Sequence, residues 1–347
     1  MSLKIEESLS FDDVLLKPKY SEVSSRSMVD TSVYIKDYVF NHPIVPANMK
    51  SISGKDMAKL ICKSGGLAIL HRFMPIEEQL SIVQDMYEKY PEANKHVAVS
   101  VGVKEEDKKN ILKFIEAGVR IFCIDIAHGD SKACIDMIRQ IKSIKFPPVE
   151  TLVIAGNVAT GEAAFRLWQD GADIVKVGVG PGSLCTTRVE TGNGVAQLSA
   201  LAEVHQSRKY YLNQYPKERK YIIADGGIKS AGDCVKALCF SDMVMVGNMF
   251  SGTDETPGEI LRINGVACKE YVGSSTHKTT HIEGVAALVP TKGSAKDVLD
   301  KLLQGIKSGC SYQGCYHINT LQVAPVFVKI THAGLRESHP HDVTVIK

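Results

Sequence analysis

"LVIAGNVATGEAAFRLWQDGADIVKVGVG", residues 152–180, carries the pattern that decides the fold. It begins with an apolar, β-branched run, passes through "TGEAAFRLWQDGA", and returns to a second run, "IVKVGVG" at 174–180. The middle piece opens on a threonine suited to cap a helix and closes at a glycine suited to end one. Neither flanking run alternates between apolar and polar residues. Each is continuously apolar, as in strands buried on both faces of a parallel sheet.

The same kind of run recurs along the chain. It appears in "PIVPANM" (43–49), "LAIL" (67–70), "VAVSVGV" (97–103), "IFCIDIA" (121–127), "YIIADGG" (221–227) and "MVMVGNM" (243–249). Stretches such as "SGKDMAKLICKSG" and "KACIDMIRQIKSI" between them place apolar residues at three- and four-residue steps, the helical spacing. Eight strand–helix units predict an α/β fold of the TIM (β/α)8 class. An open, doubly wound sheet is the alternative, but eight parallel strands in steady alternation favour closure. The 347 residues fit one such unit, since these barrels run ~250 residues and more. The expected organisation is a single catalytic domain over 1–347. It has an arm over 1–40, a polar, irregular flap near 265–293 ("GSSTHKTTHIEG"), and a helix and tail over 294–347.

A net charge of +2 and a pI near 8.0 are too mild to point to nucleic acid or a membrane surface. No apolar run approaches the ~18 residues of a membrane span, and "MSLKIEESLSFDD" lacks a signal-peptide core. Nine cysteines, an odd number without framework spacing, predict reduced thiols and a cytoplasmic setting. Most are expected to be small buried hydrophobes. "HPHD" (339–342) reads as an exposed polar tail rather than a metal site, and "RKYYLNQYPKERKY" (208–221) as a solvated loop rather than a nucleic-acid surface.

Polar residues and glycines gather where the strands end: Asn48, His71, Asp125, His128, Asn157, Gly178, Gly180, Asp225 and Asn248. Those ends form the active-site face of a barrel. Turn chemistry accounts for the glycines but not for "ANM", "DIAHG", "AGN" and "ADGG" at matching ends. "ADGG", "VGNM" and "GVGPGS" would let backbone N–H groups approach phosphate oxygens. No Lys or Arg lies within "ADGG" or "VGNM", so the anion is expected to be held mainly by dipoles. Cys185 sits at the tip of the loop after the sixth strand. With amide donors around it and Arg188 three residues on, its thiol is expected to ionise readily.

"GVGPGSLCTTR", "AGNVATGEAA", "IIADGGIKSAGD", "GTDETPGE" and the early "FDDVLLKP" resemble the IMP dehydrogenase/GMP reductase family nearly end to end. The resemblance implies a TIM barrel, usually a homotetramer, that acts on the purine ring of a 5'-nucleotide (GMP, IMP or XMP). It makes Cys185 the nucleophile that adds to purine C2 as a thioimidate. Thr187 and Glu283, the acid of the flap, become its partners in proton transfer. Gly180, Gly182 and Cys185 would offer carbonyls to a monovalent cation, K⁺. Ser183, Asp225, Gly226, Gly227, Gly247, Asn248, Gly273 and Ser274 would hold the nucleotide. The nicotinamide cofactor, NADPH or NAD, would lie against Asp125, Ile126 and Ala127, with Ser25 and Arg26 near its far end.

The family runs two reactions. One is NADPH-dependent reductive deamination of GMP to IMP; the other is NAD-dependent oxidation of IMP to XMP. The stretch after the second strand, "RFMPIEEQLSIVQDMYEKYPEANK", is too short for the regulatory insertion typical of dehydrogenases. The flap also lacks the Arg–Tyr pair that activates their water. Both features favour the reductase, whereas "GTDETPGE" and "AGLRESHPHDV" look more like the dehydrogenase. A silent nucleotide-binding barrel is a third reading, though such a protein need not keep both the cysteine loop and Glu283.

Overall fold

The computed structural model describes residues 5–144, 150–273 and 284–343. Eight strands form one parallel sheet: β1 (Ile44–Pro46), β2 (Ala68–Leu70), β3 (Val97–Val101), β4 (Ile121–Asp125), β5 (Leu152–Val158), β6 (Ile174–Val177), β7 (Tyr221–Asp225) and β8 (Met243–Val246). From β2 to β8 each strand pairs with its sequence neighbour, and β8 pairs in turn with β1. β1 and β2 lie side by side without a ladder between them, so the sheet curls into a near-closed TIM barrel. All residues of β1, β2, β3, β6 and β8 are buried, which is why their sequences do not alternate.

Helices α1 (Lys55–Lys63), α2 (Ile76–Lys89), α3 (Glu105–Glu116), α4 (Lys132–Ser143) and α5 (Gly161–Gln169) follow β1 to β5 in turn. In α5 the Thr160 side chain accepts from the Ala163 N–H at 3.3 Å, and Gly171 ends the turn at φ 105°. Its Ala163, Ala164, Leu167 and Trp168 form the buried face. After β6 come the short α6 (Thr187–Thr191) and α7 (Gln197–Gln214), then α8 (Ala231–Leu238) after β7, α9 (Ala295–Tyr312) and α10 (His332–Glu337). Among the described residues no helix is long and apolar enough to cross a membrane.

Two expectations need correction. Residues 208–214 are the last two turns of α7, not loop. Arg208 and Tyr211 point inward, Arg208 pairing with Asp242 at 2.6 Å, so much of the basic and aromatic character of this stretch is spent on packing. The polar stretch near 265–293 also contains regular structure. Strands Leu261–Ile263, Val266–Val272 and Ala286–Pro290 form an antiparallel sheet whose inward Cys268 and Tyr271 are buried.

The arm touches both ends of the barrel: the Leu9 N–H donates to Ser199 Oγ of α7, and the Lys36 N–H to the Tyr221 hydroxyl at the start of β7. The arm's hairpin, Val33–Ile35 with Tyr38–Phe40, buries Val33, Ile35, Tyr38 and Phe40 and exposes Tyr34 and Val39. A further strand, Val14–Leu16, pairs antiparallel with Phe327–Lys329.

Candidate active site

The loop after β6 is shaped by close approaches. A Cβ on Gly178 would lie 2.0 Å from the Asp225 carbonyl oxygen, so only glycine lets β6 leave the sheet here. Beyond it, Arg188 donates from Nε to the Val179 carbonyl at 3.1 Å and from Nη2 to the Val195 carbonyl at 2.5 Å. The guanidinium is therefore committed to stapling the loop. This replaces the expectation that it serves the thiol. The Cys185 N–H donates to the Gly182 carbonyl at 3.1 Å, and Sγ lies 3.1 Å from Thr187 Oγ1. All nine cysteines are free; seven are buried, Cys62 and Cys185 are half-buried, and Cys185 alone lines the cavity at the barrel mouth. Burial pushes the thiols of Cys123, Cys134, Cys239 and Cys310 up to about 12, consistent with inert packing residues.

Under the loop stands a group that sequence reasoning missed. Lys176, one residue from the C-terminal end of β6, is 3% exposed. Its Nζ donates to Asn157 Oδ1 at 2.5 Å and to Asp225 Oδ2 at 2.7 Å, with Asp125 Oδ1 at 3.3 Å. Burial works against its charge, but the Asp225 and Asp125 carboxylates outweigh that and raise the pKa, so the ammonium is kept. A register shift between Gly156 and Val158 accompanies the inward turn of Asn157, whose Nδ2 donates to Asp225 Oδ2 at 2.8 Å. Asp225, whose Oδ1 accepts no hydrogen bond from the described residues, lines the cavity. Arg72 Nε donates to the Asp125 carbonyl at 3.1 Å, its guanidinium 4.0 Å from the carboxylate. The one sequence cue for Lys176 is a lysine inside an otherwise apolar strand.

The mouth cavity measures about 490 Å³. Cys185, Thr187, Ser183, Gly180 and Gly182 line it from the β6 loop. Asp125, Ile126 and Ala127 line it from β4, Asp225 and Gly226 from β7, and Gly273 from the antiparallel sheet. Gly227, Gly247 and Asn248 do not line it, and Asn248 is exposed. A Cβ on Gly247 would lie 3.0 Å from the hydroxyl of Tyr271, a second lining residue that went unnoticed. Burial pushes that phenol up to about 12, so it remains a hydrogen-bond donor.

The loop after β8 also has a cation beside it. Lys292, from elsewhere in the chain, donates to the Asn248 carbonyl at 2.6 Å. Ser25 and Arg26 do not line the cavity. Ser25 caps the turn Arg26–Met28, which packs against α9. Ser274 and Glu283 fall outside the described residues. Among those residues no cluster of three or more His, Cys, Asp or Glu could hold a metal.

The family model described as IMP dehydrogenase / GMP reductase domain matches residues 8–341. The sequence is similar to an inosine-5'-monophosphate dehydrogenase of Borreliella burgdorferi, 35% identical over 97% of this chain and 98% of that protein. It is also similar to GMP reductases of Streptococcus agalactiae and Streptococcus pyogenes, each 39% identical over 90% of this chain and 92% of theirs.

Proposed function

The chain belongs to the IMP dehydrogenase/GMP reductase family of oxidoreductases, and from that premise we propose that it reduces GMP to IMP with NADPH through a covalent bond to Cys185. The observation that carries this reading is the half-buried Cys185 thiol, 3.1 Å from the Thr187 hydroxyl, lining the same cavity as the Asp225 carboxylate.

On this reading Asp225 Oδ1 accepts from a ribose hydroxyl, while Lys176 and Asn157 fix the carboxylate by its other oxygen. The phosphate lies toward Ser183 and the loops after β7 and β8. Cys185 bonds to C2 of the base, and the C2–nitrogen bond breaks as ammonia leaves with a proton relayed by Thr187 and Glu283. The nicotinamide, when bound, supplies hydride to that carbon, and the Cys185 sulfur then departs to give IMP. Asp125, Ile126 and Ala127 form the wall against which the cofactor packs. The neutral carbonyl oxygens of Gly180, Gly182 and Cys185 suit a hard alkali cation, so the donor set fits K⁺. We place the enzyme in the cytoplasm as a homotetramer, again from the family.

The flap at 273–284 holds neither Arg nor Tyr, which supports the reductase. Oxidation of IMP to XMP with NAD is the second reading, favoured by the 35% identity to a dehydrogenase across nearly the whole chain. Absorbance at 340 nm separates them when the protein meets GMP with NADPH or IMP with NAD. Sustained XMP formation at about 1 s⁻¹, an ordinary turnover, would overturn the reductase reading. Under that reading Glu283→Gln slows GMP reduction about 10²-fold, the scale of a lost general acid–base group, without unfolding the chain.

A further inference from the structure

A second cavity, of about 750 Å³, opens between the loops that follow β1 and β2. It shares Lys50, Arg72 and Phe73 with the mouth cavity, so the two spaces are contiguous. Its charged lining residues are Lys50, Lys55 and Arg72 against Glu78. Lys55 touches Asp85 at 3.0 Å, yet 51% of its side chain stays exposed. Gly54 and Pro75, the residues that start α1 and α2, also line this space, and neither provides a side-chain cap. The positive ends of a 9-residue and a 14-residue helix therefore open into one cavity.

A buried side chain points independently to a ligand. His71 is 5% exposed. Its Nδ1 accepts from the Phe73 N–H at 3.1 Å, so the proton of the neutral ring sits on Nε2. Nε2 finds no acceptor among the described residues, and His71 lines the second cavity. Burial, with Lys50 adding to it, holds this imidazole near 4, so at neutral pH it is an uncharged N–H donor. The ring is held in place by stacking on Phe73 at 6.3 Å, and Phe73 carries the Arg72 guanidinium 4.6 Å from its centre. An N–H donor in the cavity wall with no protein acceptor is one that an oxygen-rich anion could engage.

We propose that this cavity is a phosphate-binding subsite, in which Lys50, Lys55, Arg72, His71 Nε2–H and the uncapped starts of α1 and α2 receive a phosphoryl group. Several donors converging from separate elements suit a group with three or more acceptor oxygens better than a single carboxylate. Two sources carry that chemistry: a phosphate of the dinucleotide whose nicotinamide end occupies the mouth, and a free phosphate-bearing ligand. Only the first source rests on the function proposed above.

The test is calorimetric titration of inorganic pyrophosphate into the full chain saturated with GMP, so that the nucleotide's own phosphate site is filled. Wild type should bind one equivalent. Lys55→Met, at a half-exposed position that should not disturb folding, should weaken binding about tenfold, the scale of one charge-assisted contact. His71→Phe should weaken it several-fold, and His71→Gln, which restores an N–H donor, should recover part of the loss. If pyrophosphate competes with NADPH and the NADPH KM rises in step in Lys55→Met, the source is the cofactor; independent binding with unchanged KM identifies a separate anion. Absence of pyrophosphate binding, or equal affinity in wild type and Lys55→Met, overturns the proposal. Should GMP itself fail to bind, the nucleotide reading falls, while the same comparison on nucleotide-free protein still reads this cavity.

Discussion

One short strand, β6, carries a charge cluster at each end, and the two are inverse images. At the mouth a buried cation, Lys176, is shared by two carboxylates, Asp225 and Asp125. At the base a buried anion, Asp173, 2% exposed, is shared by two lysines, Lys36 at 2.5 Å and Lys142 at 2.7 Å. The basal cluster is closed. Asp173 Oδ2 also accepts the Val153 N–H at 2.8 Å, and the arm hairpin, bonded from the Lys36 N–H to the Tyr221 hydroxyl, sits over it. The mouth cluster is left incomplete: Asp225 lines the cavity and its Oδ1 accepts no hydrogen bond from the described residues. Burial of charge alone therefore does not mark a site. The unspent hydrogen-bonding capacity does.

Substitutions can break this contrast, beginning with the largest expected effect. Cys185→Ala should lower turnover by at least about 10³-fold while nucleotide affinity stays within about tenfold, because the ribose and phosphate contacts lie elsewhere. Equal losses of binding and turnover would make the thiol structural. Lys176→Met leaves Asp125 and Asp225 without their shared cation, so kcat/KM should fall about 10²-fold, with KM for both nucleotide and cofactor rising. Its counterpart, Asp173→Asn, should cost on the order of 3 kcal/mol in denaturant unfolding and leave both KM values unchanged. If Lys176→Met behaved like Asp173→Asn, the two ends of β6 would be equivalent and the contrast lost. Asp225→Ala should weaken nucleotide binding about tenfold, the scale of one charge-assisted hydrogen bond. An unchanged dissociation constant would remove Asp225 from the site.

The smallest expected effect is on pH dependence, and it acts through scaffold histidines. Burial holds the His42 and His205 imidazoles near 4, below their ordinary 6.5. Between those values the unfolded chain binds more protons than the folded one. Stability present above pH 6.5 should therefore fall as pH drops toward 4, and His42→Gln should flatten that slope in thermal melts. A slope unchanged by the substitution would assign the acid sensitivity to other groups.

The barrel was legible because each buried strand is written as an apolar run, and the loop at Cys185 because a thiol beside so many glycines has little to bury it. Lys176 was hidden for the same reason that β6 was easy to read: one charge does not interrupt an apolar run, and only closure shows that it points inward. The end of α7 looked like loop because Arg208 and Tyr211 are buried by partners distant in sequence, Asp242 and Trp168. Tyr271 reaches the mouth, and Lys292 the loop after β8, from outside the strand–helix repeat, and nothing in their local sequence announces it. The start of α1 at Gly54 carries no side-chain cap, and its meaning depends on α2 opening into the same space.

The antiparallel pairing of Val14–Leu16 with Phe327–Lys329 has a consequence for synthesis. The earlier strand must wait for a partner made long after it before its edge is covered. Until then it is an open template for unintended pairing. The β1–β8 ladder imposes a similar delay on the barrel itself, so native contacts depend on sequence-distant closures of the kind that slow folding. A nascent chain arrested before residue 327 should remain sensitive to protease in the arm even though all eight barrel strands are already made.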